Sequence, residues 1–467
     1  MLMPFNILGL WLRGLFSIAI LAGGIYLLTR WYDDAHVVES ATAPAAVGAP
    51  REGPRSGDVR RPGAAEPASP TRRVFRFDPG WNRPTYELAA ALALLAWATA
   101  GRWIWQGLSL VTMRSGQGSA VPAKAVSVRM GEPRRESKQA RRAKARRGKA
   151  TGLKPPGPEA DEDPREDRTG AVHVIRRPDG SELRVECHGP VDGPPIVFTH
   201  GWGANSTEWF YQKRHLADRF RLIVWDEPGL GLSKQPDNGD YRMENLAADL
   251  NAVLDFAGDR PAVLLGHSIG GMITLTFCKE FPEALGTRVA GLVLAHTSYT
   301  NPVRTADMAG LFTAIEKPVL IPLMHLTIAL WPLAWLMAWM NYINGSTHRS
   351  SHKSGFSGHE TRGQLNFVSR LTPRGRPDVL ARGMLGMIRY DATHVLPGIG
   401  IPTLVVVGDL DGTTKPEAGR YIAEHVPRAT LETLSPAKHM GLLEHHERFD
   451  RLVADFVAKC QAKIKVG

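Results

Sequence analysis

Residues 262–271 read AVLLGHSIGG, a short apolar run that ends in a G-x-S-x-G pentapeptide around Ser268. Small residues at both ends of this pentapeptide allow a strand to turn abruptly into a helix, which would hold the serine on a sharp corner. A serine in that position can act as a nucleophile when a base lies close by. Because glycine and serine are common, the surrounding sequence has to decide whether this one does.

From residue 171 onward, short β-branched runs alternate with helical patterns. Seven runs have the composition of strands: AVHVI (171–175), LRVECHG (183–189), PIVFTHG (195–201), FRLIVWD (220–226), AVLLGHS (262–268), GLVLAH (291–296) and PTLVVVGD (402–409). The last five are almost wholly apolar, which suits strands covered on both faces. Apolar residues between 246 and 257 recur at helical spacing. The sequence therefore predicts an α/β fold with a doubly wound, mostly parallel sheet.

A serine nucleophile needs a base to remove its proton and an acid to orient that base. The seventh run ends in GDLD, which places Asp409 and Asp411 on a loop at the carboxyl end of a strand, where α/β sheets build their sites. His439 follows a strand-like run and a turn, 28 residues after Asp411. We favour Asp411 as the acid and His439 as the base, with Asp409, His445 and His446 as alternatives.

Five short motifs, taken in order, make residues 171–460 resemble the α/β-hydrolase superfamily. They are HGWG (200–203), WDEPGLGLS (225–233), GHSIGG (266–271), GDLD (408–411) and KHMG (438–441). The resemblance implies Ser268 as nucleophile, Asp411 as orienting acid and His439 as general base. It favours Asp411 over Asp409 because the family's acid usually stands third after that glycine.

The same resemblance implies an oxyanion hole made by the backbone N–H groups of Trp202 and Ile269. Backbone donors suit this task because their positions are set before charge develops. Removing one such donor in comparable enzymes costs about 2–4 kcal/mol of barrier. We also expect the side chain of Trp202 to line the acyl pocket.

Other polar residues near these motifs have simpler interpretations. His200 is expected to shape the loop beside the oxyanion hole, and His267 fills the variable position of the pentapeptide. Asp226 and Glu227 suit a turn rather than catalysis. The stretch HRSSHKSGFSGHE (348–360) holds three histidines but lacks closely paired metal ligands. We therefore expect neither a metal nor a cofactor.

A long insertion separates the sixth predicted strand from the seventh. About 105 residues lie between His296 and Pro402, far more than one crossover helix requires, so we expect a helical cap at about 300–395. Its stretch PVLIPLMHLTIALWPLAWLMAWMNYI (318–343) is strongly apolar, but two internal prolines should break it into short helices. Its apolar faces suit ordinary core, a lipid-facing lid or the wall of a substrate tunnel.

Residues 1–113 form a predicted membrane region with two candidate transmembrane helices, at about 7–29 and 88–110. The first is free of charge after Arg13 and is flanked by aromatic residues; a cleaved signal peptide is the alternative. The second is interrupted by Arg102 beside two tryptophans, so an interfacial or buried helix is its alternative.

Residues 114–170 are predicted to be a disordered linker, first basic and then acidic. The net charge is +11, and residues 114–150 hold 12 Lys and Arg against two Glu, so the rest of the chain is close to neutral. This tract favours anionic lipid headgroups over nucleic acid as its partner. The positive-inside tendency places it and the catalytic region on the cytoplasmic side. The three cysteines are too widely spaced for a disulfide framework.

Together these features predict a membrane-anchored serine hydrolase that cleaves a carboxylic ester of a lipid or another hydrophobic acyl compound through an acyl-serine intermediate. The same triad also serves carbon–carbon bond hydrolysis, thioester hydrolysis and perhydrolysis in this superfamily, and fold alone does not separate them. A membrane-tethered binding protein without activity is a third reading. The expected partners are a small hydrophobic ester and membrane lipid, with no nucleic acid.

Overall fold

The computed structural model of the chain describes residues 4–40, 71–75, 83–112 and 163–464. The chain divides into two compact units: residues 18–99 form the smaller one, and the rest of the chain forms the larger one. The predicted basic tract at 114–150 lies outside the described residues.

The smaller unit is built around two helices and a strand pair. It contains β1 (His36–Ser40), β2 (Thr71–Phe75), the part of α1 (Pro4–Ala35) from residue 18 onward and the part of α2 (Arg83–Thr112) up to residue 99. The two strands pair antiparallel. The helices approach closely at Gly24, where an added Cβ would lie 3.0 Å from Cγ of Leu95. Glu87 of α2 pairs with Arg30 of α1 at 3.3 Å and with Arg83 at 3.0 Å. The smaller unit is therefore a helical hairpin with its own ion pairs.

Among the described residues, two helical segments are long and apolar enough to cross a membrane: Ile7–Asp34 and Ala309–Ala329. The first coincides with the predicted span at 7–29. The second predicted span, 88–110, lies within α2 and is not one of these two segments. By length and composition, the N-terminal helix suits a membrane anchor or a signal sequence.

An eight-stranded sheet forms the centre of the larger unit. Its strands are β3 (Ala171–Arg176), β4 (Glu182–His188), β5 (Pro195–Thr199), β6 (Arg221–Trp225), β7 (Ala262–His267), β8 (Val289–Ala295), β9 (Thr403–Gly408) and β10 (Ala429–Leu434). Their spatial order is β10-β9-β8-β7-β5-β6-β4-β3. The pairs β3–β4 and β4–β6 are antiparallel, and every other pair is parallel. The predicted doubly wound, mostly parallel sheet is confirmed.

Helices cover this sheet on both sides. Before the insertion the chain forms a short 3-10 helix (Ser206–Trp209), α3 (Phe210–Leu216), α4 (Met243–Ala257), α5 (Ile269–Glu280) and a second 3-10 helix (Pro282–Ala284). Every residue of β5, β7 and β9 is buried. Because successive side chains of a strand point to opposite faces, complete burial means that both faces are covered.

The insertion between β8 and β9 forms the predicted helical cap. It contains α6 (Pro302–Thr305), α7 (Ala309–Ile315), a π-helical turn (Glu316–Leu320), α8 (Ile321–Ala329), α9 (Trp331–Ile343), α10 (Ser346–Gly355), α11 (Arg362–Leu371), α12 (Pro377–Ile388) and a 3-10 helix (Thr393–Gly398). Pro322 lies in the first turn of α8 and the π-helical turn accommodates it, so the helical run continues from α7. The run ends at Ala329, three residues before Pro332. Of the two prolines expected to break this segment, only Pro332 does so.

After the cap, the chain completes the sheet and covers it with three helices. They are α13 (Pro416–His425), α14 (Gly441–Glu444) and α15 (His446–Ile464). The last of them packs against β8 and α3 and carries buried apolar residues such as Phe449, Val453 and Val457 into the core.

Residues 163–170, the end of the predicted linker, lie against the sheet. Arg168 contacts Glu186 at 3.4 Å and Asp226 at 3.1 Å, and both carboxylates are fully buried. Lys213 approaches the same Glu186 at 3.4 Å. This stretch departs from the predicted disorder because buried carboxylates need cations, and the chain before β3 supplies one.

The Glu186 carboxylate makes stability depend on pH. Burial raises the pKa of Glu186, but His188, Lys213 and Arg168 together lower it by more than burial raises it. The pKa therefore falls to about 2. A carboxyl group whose pKa is lowered by folding stabilises the fold above its unfolded pKa. That stabilisation is lost as the pH falls from the ordinary glutamate pKa of 4.5 through about 2.

Replacement of Glu186 by Gln should therefore lower the apparent melting temperature in neutral detergent at pH 7 by about 4–10 °C, because the buried cations lose their counter-charge. The difference from the wild type should shrink when both proteins are melted at pH 3. Glu182→Gln, which alters an exposed pair, is the control. Equal melting temperatures at pH 7 would contradict the stabilising role.

Candidate active site

Ser268 lies at the turn between β7 and α5. Its backbone has φ 55° and ψ −117°, a conformation that residues with a Cβ adopt only under strain. An added Cβ on Gly266 would lie 2.3 Å from the carbonyl carbon of Gly270, and one on Gly270 would lie 2.3 Å from the carbonyl oxygen of Thr199. The two glycines of the pentapeptide are therefore needed to make room for the turn.

The structure brings Ser268, His439 and Asp411 together. Nε2 of His439 lies 3.0 Å from Oγ of Ser268, and its Nδ1 lies 2.8 Å from Oδ2 of Asp411. Because a carboxylate can only accept, the proton of the imidazole belongs on Nδ1, and Nε2 is free to take the proton of the serine. The three residues are only 2–3% exposed, so the site is closed to solvent in this arrangement.

Asp411 is held by the loop that follows it. Its Oδ1 accepts from the N–H groups of Thr413 at 2.8 Å and Thr414 at 3.1 Å, and its Oδ2 accepts from the hydroxyl of Thr414 at 3.0 Å. Burial raises the pKa of this carboxyl, but His439 and His296 lower it more, and the pKa lies well below its usual range. The group is therefore a carboxylate at neutral pH.

A second histidine, His296, lies beneath this carboxylate, with its Nδ1 3.4 Å from Oδ2 of Asp411. Burial lowers the pKa of His296 to about 4, so its ring is neutral at pH 7. The sequence pattern did not single out this residue, which ends an ordinary apolar strand.

The alternative acid and bases have other contacts. Asp409 accepts a hydrogen bond from the N–H of Ala437 at 2.9 Å and supports the turn after β10. His445 donates through Nε2 to a backbone carbonyl oxygen at 2.6 Å. His446 is buried against the ring of Tyr211. The geometry therefore favours Asp411 and His439 over these three residues.

A buried pair, Glu208 and His267, joins the loop after β5 to the loop that carries His439. Oε2 of Glu208 accepts from the N–H of Gly201 at 2.8 Å, and its Oε1 lies 3.0 Å from Nδ1 of His267. Nε2 of His267 lies 3.1 Å from the carbonyl oxygen of His439. Both ring nitrogens of His267 therefore face hydrogen-bond acceptors. Burial raises the pKa of Glu208, but His267 lowers it more.

Sequence reasoning treated His267 as a variable position and did not single out Glu208. In one sequence, a glutamate in a short polar turn carries no signal of such a role. The contact that reveals it joins residues 59 positions apart.

His200 shapes the loop after β5, in line with the prediction. Its Nδ1 donates to the carbonyl oxygen of Gly201 at 3.0 Å, and its Nε2 accepts from the N–H of Glu227 at 3.0 Å. Burial lowers the pKa of His200, which suits a neutral ring. Asp226 accepts two backbone N–H groups at 2.6 and 2.8 Å, the turn-forming role expected of it.

Glu227 begins the expected turn, since its carbonyl oxygen accepts from the N–H of Leu230 at 3.0 Å. Its carboxyl oxygens are buried and have no hydrogen-bond partner among the described residues. Burial, together with the charges of Glu208 and Asp226, raises the pKa of Glu227 well above its usual value. Its surroundings therefore favour the protonated form of this carboxyl group.

The two predicted oxyanion donors come from different loops: Ile269 directly follows Ser268, and Trp202 follows β5. Ile269 is the first residue of α5, so its N–H has no acceptor within the helix. Trp202 lies in the loop after β5, and its side chain is buried against the cap. Its Nε1 donates to the carbonyl oxygen of Leu380 at 3.0 Å, and an added Cβ on Gly383 would lie 2.0 Å from the indole. In this structure the indole fastens the loop to α12, and its place in the acyl pocket stays a prediction.

The histidine-rich stretch at 348–360 forms ordinary side-chain contacts. His348 lies 3.3 Å from Oδ1 of Asn366, and His352 pairs with the carboxylate of Glu360. Within the described parts of the chain, no group of three or more His, Cys, Asp or Glu residues could hold a metal ion.

Comparison with known proteins agrees with this architecture. A family model described as the alpha/beta hydrolase fold matches residues 194–316. A 3-oxoadipate enol-lactonase from Acinetobacter baylyi is 26% identical over 271 residues, covering 58% of this chain and 91% of that protein. A pimeloyl-(acyl-carrier protein) methyl ester esterase from Neisseria meningitidis is 26% identical over 266 residues, covering 56% of this chain and 93% of that protein.

Among solved structures, a thermophilic esterase from Thermogutta terrifontis matches with a TM-score of 0.51 and 26% identity. The match covers 62% of this chain and 99% of that one. The sheet order, the strained turn at Ser268 and these matches agree on one class. The chain has the α/β-hydrolase fold, and its similarity to named hydrolases makes it a hydrolase-type enzyme.

Glu208→Gln should lower kcat on a soluble ester by about tenfold or more, with a smaller effect on KM. The side-chain amide of Gln can still accept a hydrogen bond from the N–H of Gly201. It cannot, however, accept from Gly201 and His267 at the same time, as the two carboxylate oxygens of Glu208 do. Steady-state kinetics with a short p-nitrophenyl ester measures both constants. Glu244→Gln, at an exposed glutamate of α4, is the matched control. An unchanged kcat would exclude a positioning role for Glu208.

Proposed function

We propose that this protein is a membrane-anchored serine hydrolase that cleaves the carboxylic ester of a lipid or another hydrophobic acyl compound. The observation that carries the proposal is the hydrogen-bonded series from Ser268 through His439 to Asp411, with separations of 3.0 and 2.8 Å. A serine, a histidine and a buried carboxylate in this order make up the machinery of acyl transfer.

The geometry supports a two-step reaction. His439 removes the proton of Ser268 through Nε2 while the oxygen attacks the ester carbonyl carbon. The N–H groups of Trp202 and Ile269 stabilise the oxyanion, and His439 then returns the proton to the leaving alcohol. Water, activated by the same histidine, attacks the acyl-serine and releases the acid. Asp411 holds the imidazole in the required tautomer and stabilises its charged form.

Ester bonds are favoured over the other bonds open to this triad because of the names of the relatives. A methyl ester esterase, an enol-lactonase and an esterase structure each match more than half of this chain. These names describe those proteins, and they support the same bond class here.

A hydrophobic substrate and a membrane location are supported by the surface of the cap. We define the cap apolar face by nine partly exposed residues: Leu311, Val319, Leu326, Leu330, Leu333, Trp335, Leu336, Trp339 and Ile343. Between residues 309 and 343, Glu316 and Lys317 are the only Asp, Glu, Lys or Arg residues. Apolar side chains exposed together along one helical segment mark an interaction surface. Lipid is the partner that matches a surface with so little charge.

The start of α1 continues this apolar surface within the same unit. Leu12, Leu15 and Phe16 are each more than half exposed. Trp11 of α1 donates to the hydroxyl of Thr327 in α8 at 2.9 Å. The candidate anchor helix and the cap are thereby joined, which supports a cap that lies on the bilayer. The sidedness of the membrane stays a prediction.

Ser268→Ala should abolish hydrolysis of a p-nitrophenyl ester, with a loss of at least about a thousandfold, because no other hydroxyl replaces the nucleophile. It should also abolish labelling by a fluorophosphonate probe. Asp411→Asn and Asp409→Asn form a matched pair at the neighbouring loop positions. The first should reduce kcat strongly and the second only slightly; persistent labelling of the Ser268→Ala protein would overturn the assignment.

A charge on the cap apolar face should impair hydrolysis at an interface more than in solution. Leu326→Glu and Leu336→Glu are expected to lower the rate on a long-chain ester in vesicles by about tenfold, because a charged side chain is costly in apolar surroundings. Hydrolysis of a soluble short-chain ester should change less than twofold. Val191→Glu, on an exposed loop away from the cap, is the control. Equal losses on both substrates would contradict a lipid-facing role.

A further inference from the structure

A small cavity of about 40 Å³ lies between the start of α1 and the cap helices α9, α10 and α11. Leu10 and Arg13 line it from α1, and this part of α1 belongs to the same compact unit as the cap. Ser268, His439 and Asp411 do not line it. The cavity is therefore a second candidate site, separate from the proposed active site.

One wall of the cavity is a row of hydroxyl groups. Thr347, Ser350, Ser351 and Ser354 line it from α10. Their spacing places them on one face of the helix, since residues three and four apart are neighbours on a helix surface. The remaining lining is largely apolar and includes no Asp or Glu residue. A negatively charged ligand would thus meet hydrogen-bond donors and no opposing carboxylate.

Arg13 supplies a cation to this cavity. It is the only Asp, Glu, Lys or Arg residue among the first 29 of the chain. Its Nε is buried and has no hydrogen-bond partner among the described residues. A charged side chain in an otherwise apolar helix is costly unless it finds a counter-charge, and such residues commonly mark a site. A negatively charged group would supply that counter-charge.

Polar contacts hold the helix that carries Arg13 against the cap. Oγ of Ser17 donates to Oδ1 of Asn341 at 3.0 Å, and Nδ2 of Asn344 donates to Ser17 at 2.6 Å. These atoms are buried, so α1 is fixed in register with α9. The guanidinium is consequently held beside the hydroxyl row.

We propose that this cavity binds the anionic head of an amphiphile, a carboxylate or a phosphate, with Arg13 and the hydroxyl row as its polar ligands. The apolar lining, which includes Leu10, Ala338 and Val368, receives the adjoining part of the chain. Guanidinium groups recognise carboxylate and phosphate oxygens through charge-assisted hydrogen bonds. The amphiphile comes either from the bilayer, as a phospholipid, or from solution, as a free acid.

The occupant would contact the segment that carries His439. Met440, the next residue, lines the cavity, and its N–H donates to the carbonyl oxygen of Gly355 at 2.8 Å. A ligand in the cavity is therefore placed to change the rate of the proposed active site, although its binding does not depend on that activity.

The test is equilibrium dialysis of labelled octanoate and octyl phosphate against the full chain in nanodiscs of neutral phosphatidylcholine. Arg13→Gln should weaken both dissociation constants at least about tenfold, because a hydrogen-bonded charge is lost. Arg13→Lys keeps the charge but loses the planar fork of donors, so it should weaken binding less than Arg13→Gln does. Arg349→Gln removes a charge from the exposed side of α10 and is the matched control. Neither probe contains a carboxylic ester, so the result is independent of hydrolysis.

Two further arms identify the source of the ligand. Displacement of octyl phosphate by phosphatidylglycerol in the nanodisc supports a membrane lipid, whereas octanoate binding without such displacement supports a free acid. Binding of octanol or of inorganic phosphate as tight as that of octyl phosphate would overturn the proposal. An unchanged affinity in Arg13→Gln would also overturn it, provided that this variant melts at the wild-type temperature. If Arg13→Gln melts at a lower temperature, the double variant Ser350→Ala and Ser354→Ala is tested instead. Unchanged binding by that double variant would then overturn the proposal.

Discussion

Ser268 holds a φ of 55° because β7 has to turn into α5 within the space that Gly266 and Gly270 leave free. This strained turn directs the hydroxyl to His439, 3.0 Å away. A side chain at either glycine would collide with neighbouring backbone, the turn would open, and the hydroxyl would move. The loop that carries Asp411 and the candidate oxyanion donors are useful only relative to the position that this turn gives the oxygen.

A buried polar network keeps the loops around that turn in register. Glu208 holds Gly201 on one side and His267 on the other, and His267 reaches the backbone of His439. Buried polar groups are costly when they lose a partner, so the network is satisfied in one arrangement of these loops. Stability and the geometry of the site therefore rest on the same contacts.

The cap connects this site to the apolar part of the molecule. Trp202 fastens the loop after β5 to α12, and the start of α1 is fastened to α8 and α9 through Trp11 and Ser17. The proposed lipid substrate and the proposed anionic amphiphile both follow from this connection. A cap joined to an apolar helix, with exposed leucines and tryptophans, is suited to exchange hydrophobic molecules with a bilayer.

The sequence by itself determined the strands, the elbow and the order of Ser268, Asp411 and His439, because these depend on local periodicity and on where glycines stand. The tertiary structure alone decided that Glu208 braces the site, that the indole of Trp202 packs on the cap, and that Arg13 faces a cavity. Contacts such as that between Ser17 and Asn341 join residues 324 positions apart. No local pattern encodes such a contact, since it exists only after the sheet and the cap have brought distant segments together.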